Sequence, residues 1–202
     1  MLNIFYNTLL TLIMDHLSEF SVILFDNTIT GHLDFGRFTR LKKLSCYTKN
    51  ITAYDNLPSS LIEFTCSRLN ETIDIPSSLV SLTIDQRGAI IYFDKLPTNL
   101  QKFSCQSVIT EFEKLPRTLE YLGCYSDNFN NIKDLPPNLN TLHIHYDTIT
   151  DLDNLPVLPD YLRYLKIYYL DFVPPYTEIV ERIKNNYPQL TQFELRSGSY
   201  EQ

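Results

Sequence analysis

Residues 115–124 read Leu115-Pro116-Arg117-Thr118-Leu119-Glu120-Tyr121-Leu122-Gly123-Cys124. The frame Leu-Pro-x-x-Leu-x-x-Leu-x-Cys returns along the chain. Its openings are Leu57-Pro58, Ile75-Pro76, Leu96-Pro97, Leu115-Pro116, Leu135-Pro136 and Leu158-Pro159, at successive spacings of 18, 21, 19, 20 and 23 residues. Behind each opening the apolar residues fall into columns. The first holds Leu41, Leu61, Leu79, Leu100, Leu119, Leu139 and Leu162. The second holds Leu44, Phe64, Leu82, Phe103, Leu122, Leu142 and Leu165, and the third holds Cys46, Cys66, Ile84, Cys105, Cys124, Ile144 and Ile167. A fixed period of this length is the signature of a solenoid.

The spacing sets the local geometry. The last two columns are two residues apart, so their side chains share one face of a short strand. A single strand of this kind buries almost nothing. Parallel strands stacked at ~4.8 Å turn the columns into continuous apolar ladders. The remainder of each coil carries proline and lacks a 3.6-residue apolar pattern, so the returns are expected to be extended or briefly 3₁₀. A second ladder of Ile51, Ile73, Ile90, Ile109, Ile132 and Ile149 is expected to hold them.

Such a stack needs its ends covered. Residues 1–35 are expected to cap the first end. Phe5, Leu9, Leu12, Ile13 and Leu17 lie on one face of an amphipathic helix, followed by an irregular strand over Ser21 to Phe25. Residues 36–173 form the repeats, and residues 174–202 a terminal coil with a helix on its back. In that helix Thr177 caps the start, Glu178 and Arg182 pair at i,i+4, and Ile179, Val180, Ile183 and Tyr187 make the apolar face. Leu190-x-x-Phe193-x-Leu195 then repeats the strand pattern.

The balance of the 202-residue chain excludes several classes. It carries 17 basic and 24 acidic side chains for a net charge of −7, which argues against a nucleic-acid partner. Aromatic residues make up 13%, which argues against disorder. The charge-free N-terminal stretch ends at Asp15, short of the ~18 apolar residues of a membrane span, and it lacks the basic start and cleavage site of a secretory signal. Alanine occurs only at Ala53 and Ala89, while Ile, Asn and Tyr abound, as in an A/T-rich genome.

The columns resemble leucine-rich repeats, in the short subtype that begins Leu-Pro-x-x-Leu. The match is nearest to the uncharacterised leucine-rich-repeat proteins of amoeba-infecting giant viruses. Asp127-Asn128-Phe129-Asn130-Asn131-Ile132, ahead of Leu135-Pro136, is similar to FNIP-type repeats of amoebae and such viruses. The resemblance covers about residues 37–195. It implies a right-handed α/β-type solenoid, mostly β, of about eight or nine coils, with parallel strands on a concave face and helical caps at both ends. It also implies an intracellular location, in host cytoplasm. The chain departs from the pattern after the third column, where the usual Asn is mostly missing and turn hydrogen bonding near Arg87 and Val108 lacks an obvious donor.

Candidate chemistry is sparse. The four cysteines, spaced 20, 39 and 19 apart, all fall in the third column, so core packing accounts for them without zinc. The four histidines are His16, His32, His143 and His145, and no Gly-x-Ser-x-Gly, phosphate loop or HExxH is present. Asp147, Asp151 and Asp153 read as solvated turn carboxylates, and a His143/His145 metal pair has no evident third ligand. No cofactor, metal or catalytic residue is expected.

The outward strand positions are more informative. In the early coils they are Lys43, Ser45, Glu63, Thr65, Ser81, Thr83, Lys102 and Ser104; in the later coils they become Tyr121, Tyr125, His143, His145, Tyr164, Lys166 and Tyr168. Exposed tyrosines on neighbouring coils give rigid contact area with polar tips, as at binding hot spots. Tyr and His also suit exposed strand positions with no partner at all, by β-propensity alone. The expected function is a non-enzymatic, monomeric protein–protein interaction module that uses this later strip, with neither nucleic acid nor membrane as partner. The alternative is a ubiquitin-ligase substrate adaptor with a degenerate F-box, from the apolar spacing of Leu9 to Leu24.

Overall fold

In the computed structural model, residues 17–23, 31–47, 51–126, 132–146, 155–169 and 176–197 are described. Each proline opening closes a β-turn in which the proline carbonyl accepts from the leucine three residues on. These bonds are Leu61 N–H to Pro58 O (3.0 Å), Leu79 to Pro76 (3.0 Å), Leu100 to Pro97 (3.1 Å), Leu119 to Pro116 (3.2 Å), Leu139 to Pro136 (3.1 Å) and Leu162 to Pro159 (3.0 Å). Where proline is missing, Phe38 and Tyr187 accept in the same way from Leu41 and Leu190. The proline ring also forces the residue before it into extended backbone. Leu96 (φ −68°, ψ 129°) and Leu115 (φ −68°, ψ 145°) accordingly end the short 3₁₀ turns Phe93–Lys95 and Phe112–Lys114.

The chain divides into two units, residues 1–100 and 101–202. In the first, parallel strands β1 (Glu19–Ile23), β3 (Lys43–Tyr47), β5 (Glu63–Cys66) and β6 (Ser81–Ile84) pair in the order β1-β3-β5-β6. Their register sets Leu44 against Phe64 and Leu82, and Cys46 against Cys66 and Ile84. Two return segments, β2 (Gly31–Asp34) and β4 (Ile51–Asp55), form a second, two-stranded parallel sheet.

The second unit orders β7 (Lys102–Val108), β8 (Tyr121–Tyr125), β9 (Thr141–Tyr146), β10 (Tyr164–Tyr169) and β11 (Gln192–Ser197) in sequence, all parallel. Leu122, Leu142, Leu165 and Phe193 form one lateral row, and Cys124, Ile144, Ile167 and Leu195 another. Helix α1 (Tyr176–Asn186) precedes β11. Both units are therefore mostly-β parallel coils.

All 21 column residues are buried. At about 1.5–3 kcal/mol for each large apolar side chain removed from water, these ladders are the main source of cohesion in each unit. One carbonyl per step ties a coil to the one before it by accepting two backbone N–H groups. Lys42 O takes Ile62 and Glu63, Glu120 O takes Asn140 and Thr141, and Asn140 O takes Arg163 and Tyr164. Ser60 and Ser78 add hydroxyl bonds of 2.7 Å to the Leu41 and Leu61 carbonyls.

Several expectations are revised. Ile90 is exposed, not part of the second ladder; Gly88 (φ +68°) and the Ala89 N–H to Gln86 O turn change the phase of that return, and Ile91 is the half-buried neighbour. Ile51, Ile73, Ile109 and Ile132 are buried, and Ile149 lies outside the described residues. The opening strand covers Glu19–Ile23, so it begins ahead of the expected Ser21, where the Ser18 carbonyl accepts from Lys42 and Lys43 and sets its register; Leu24 and Phe25 lie outside the described residues. The missing turn Asn is replaced by main chain: Asp85 and Gln86 N–H reach Cys66 and Ser67 carbonyls, and Ile109 N–H reaches Tyr125 O. Val108 pairs with Tyr125 across a bulge.

In α1, Ile179 and Ile183 are buried, Val180 is half-buried, and Glu178 and Arg182 approach to 4.0 Å; Tyr187, just past its end, is buried as well. Thr177 sits within the helix, not at its cap, because the helical run already includes Tyr176. Phe5, Leu9, Leu12, Ile13 and most of the Leu9–Leu24 segment lie outside the described residues. No helix among the described residues is long and apolar enough to cross a membrane.

Candidate functional site

The polar face of the second unit is a grid. Strand alternation sends every second side chain away from the ladders, and in-step pairing lines these up in three rows. Tyr121, Thr141, Tyr164 and Gln192 make the first. Gly123, His143, Lys166 and Glu194 make the second. Tyr125, His145, Tyr168 and Arg196 make the third. All seven residues singled out from sequence are thereby brought together on β8, β9 and β10.

In the third row the rings stack. Tyr125 and His145 have centroids 4.6 Å apart at 20°, and His145 and Tyr168 4.1 Å apart at 5°. This packing corrects the expectation that His145 is exposed: between two phenol rings it is buried, at 9% exposure. Lys166 Nζ lies 4.8 Å from the centroid of the Tyr168 ring, a cation–π contact.

Across the first two rows the rings meet edge to face. His143 is 5.1 Å from Tyr121 (73°) and 5.2 Å from Tyr164 (87°). The Tyr121 hydroxyl and His143 Nδ1 are 3.1 Å apart, and they hydrogen-bond across the diagonal of the grid. Gly123 makes that diagonal possible: a Cβ there would lie 3.1 Å from the Tyr121 hydroxyl and 3.0 Å from Ser104 Oγ. Burial, followed by the Lys166 ammonium, holds the His143 pKa below its ordinary 6.5 against an opposing pull from Glu194.

Glu194 anchors the far side. Its Oε1 accepts the Tyr164 hydroxyl at 2.6 Å, while Arg196 and Lys166 approach Oε2. The Tyr164 hydrogen bond is the largest influence lowering the Glu194 pKa, with Arg196 and Lys166 adding to it. Burial, then the Glu194 carboxylate, pushes the Tyr164 hydroxyl up to about 12. Gly123, Glu194 and Arg196 escaped the sequence reading. The signal for the last two was present, since the outward alternation of β8–β10 continues through Gln192, Glu194 and Arg196. Gly123 carried none, because the need for it arises only from the lean of Tyr121.

The other candidates are scattered. Cys46, Cys66, Cys105 and Cys124 are free thiols buried in their column, and burial pushes Cys46 and Cys105 up to about 11. His32 on β2 pairs with Asp55 on β4 at 3.0 Å, both side chains exposed. In the first unit Lys43 lies between Glu19 (3.8 Å) and Glu63 (3.4 Å), and Ser45, Thr65, Ser81 and Thr83 are half-buried. Lys102 is exposed and Ser104 half-buried on β7. His16, Asp147, Asp151 and Asp153 lie outside the described residues. Among the described residues no three His, Cys, Asp or Glu side chains are grouped to hold a metal ion.

No family model and no curated protein matches this sequence. Solved structures do. CroV588, a circular LRR protein, is 18% identical with a TM-score of 0.46, over 90% of this chain and 32% of its own. YopM from Yersinia enterocolitica WA-314 is 18% identical with a TM-score of 0.40, over 89% of this chain and 48% of its own. This chain thus spans about a third of the first protein's length and about half of the second's.

Proposed function

We propose that this chain is a non-enzymatic, leucine-rich-repeat protein-interaction module, and that it engages a protein partner through Tyr121, Tyr125, His143, His145, Tyr164, Lys166 and Tyr168. The observation that carries the reading is the ring lattice itself. Six aromatic side chains are held by one another and by the Tyr121–His143 and Tyr164–Glu194 hydrogen bonds. Rings already fixed lose little freedom on binding, so their contact area converts efficiently into affinity. Packed side by side, they offer edges and hydroxyls to a partner more than open faces.

The same reading takes the chain as a monomer of about eight or nine coils with helical ends, of the short giant-virus repeat type, working inside a host cell without nucleic acid or membrane. Replacing Tyr121, Tyr125, Tyr164 and Tyr168 together by Ser is expected to abolish partner capture while leaving circular dichroism and cooperative unfolding in place. Capture at the original level by the folded variant lacking these four tyrosines would defeat the proposal.

A further inference from the structure

On the polar face of the second unit, two cations share one carboxylate oxygen. Lys166 Nζ lies 3.6 Å from Glu194 Oε2, and Arg196 reaches the same oxygen with Nη2 at 2.9 Å and Nε at 3.0 Å. The other oxygen is taken by the Tyr164 hydroxyl. Donors therefore exceed acceptors. The Lys166 side chain is only 15% exposed, against 49% for Lys43 and 52% for Lys114 in their ion pairs. With its side chain mostly covered, the Lys166 ammonium offers three N–H donors to one carboxylate beyond hydrogen-bond distance and one ring face.

Beside it on β9, His143 Nε2 is buried and has no hydrogen-bond partner among the described residues. In the tautomer that accepts the Tyr121 proton at Nδ1, this atom is a further donor. The first unit shows the opposite balance, one Lys43 between two carboxylates. What the Lys166–Glu194–Arg196 cluster lacks is one negative charge. Two cations against one carboxylate leave a surplus of a single unit, which suits a carboxylate better than a dianionic phosphate.

We propose that Lys166 and Arg196 form a carboxylate subsite that receives an aspartate or glutamate side chain of the protein partner. The subsite rests on the interaction surface proposed above and gives that partner a chemistry: an acidic side chain presented next to groups that pack on tyrosine edges. An added carboxylate would complete an alternating row of charges and hold Lys166 by a direct hydrogen bond, whose loss costs more than that of an exposed pair.

The test uses the full chain, a pentaglutamate peptide, a pentaglutamine peptide and inorganic phosphate, followed by NMR. Pentaglutamate is expected to shift Tyr164, Lys166, Arg196 and His143 resonances saturably, while pentaglutamine leaves them in place. Lys166→Met is expected to weaken pentaglutamate binding about tenfold and Arg196→Gln to weaken it measurably. Neutralising the Lys166 charge removes its repulsion, so the His143 titration midpoint should rise with peptide in the wild type and stand already raised in Lys166→Met. Equal binding by Lys166→Met, equal binding of pentaglutamine, or phosphate displacing the peptide at comparable concentration would each overturn the subsite. A partner lost with the four tyrosines but indifferent to both Lys166→Met and Arg196→Gln removes the subsite and keeps the surface; one indifferent to the tyrosines as well removes both.

Discussion

Leu122 and Tyr121 are adjacent in sequence and opposite in physics. Leu122 is fully buried between its column neighbours, while Tyr121 is half-buried on the polar face. Leu122→Ala is expected to cost about 2–5 kcal/mol in urea unfolding, from lost burial plus the cavity left behind. Tyr121→Ser should cost less, since Tyr121 lies on the polar face outside the ladders and its removal leaves no closed apolar cavity. Equal losses would mean that the strand is out of register. His143 gives a second test at this scale. Its folded pKa lies below 6.5, so the unfolded chain takes up the proton first as pH falls. The associated stability is complete above about pH 6.5 and declines as pH drops through that value toward the lowered folded pKa. Comparing urea midpoints at about pH 7.5 and pH 5, the wild type should lose more than His143→Gln; the ring is only half-buried, so the difference will be modest. An identical drop in both proteins would contradict the assigned direction.

At the scale of elements, the turns and the helix obey different logics. A Leu-Pro-x-x-Leu turn is encoded locally: proline restricts two residues, and the bond to the leucine N–H closes the loop within four. Asn56 (φ 53°) and Asp134 (φ 54°) stand before two of these openings in left-handed backbone, which short polar side chains tolerate. Helix α1 depends on distant partners. Tyr187, just past its end, donates its hydroxyl to Pro156 O at 2.6 Å in a buried setting. Tyr187→Phe keeps the ring and leaves that carbonyl without this donor, so it should destabilise the protein by about 1–3 kcal/mol in thermal or urea unfolding. The apolar spacing of Ile179, Ile183 and Tyr187 was legible in sequence; the hydroxyl bond was not, because its partner is 31 residues away.

Across the whole molecule, the same interior supports two different exteriors. The 21 column positions vary only among Leu, Phe, Ile and Cys, whereas the polar positions change from Lys, Ser, Glu and Thr on β3, β5 and β6 to a set rich in Tyr and His on β8, β9 and β10. The cysteines report on the interior of both units. With all four thiols buried and held protonated, a chromogenic thiol reagent at about pH 8 should find none in the native protein and four per chain after denaturation. Rapid native labelling would place a column at the surface.

Sequence alone determined the ladders, because a period near twenty residues forces like positions to meet, and a column of Leu119, Leu139 and Leu162 has no stable place except inside. It also determined the side of each strand on which Tyr121, His143 and Tyr164 stand, since alternation by two is a property of the extended backbone. It did not determine what those rings do to one another. The burial of His145, the lean of Tyr121 over Gly123, the convergence of Lys166 and Arg196 on one oxygen and the exposure of Ile90 came only with tertiary structure. Each depends on rotamers and loop phase chosen by neighbours far away in the chain, and a repeat pattern constrains only the positions that repeat.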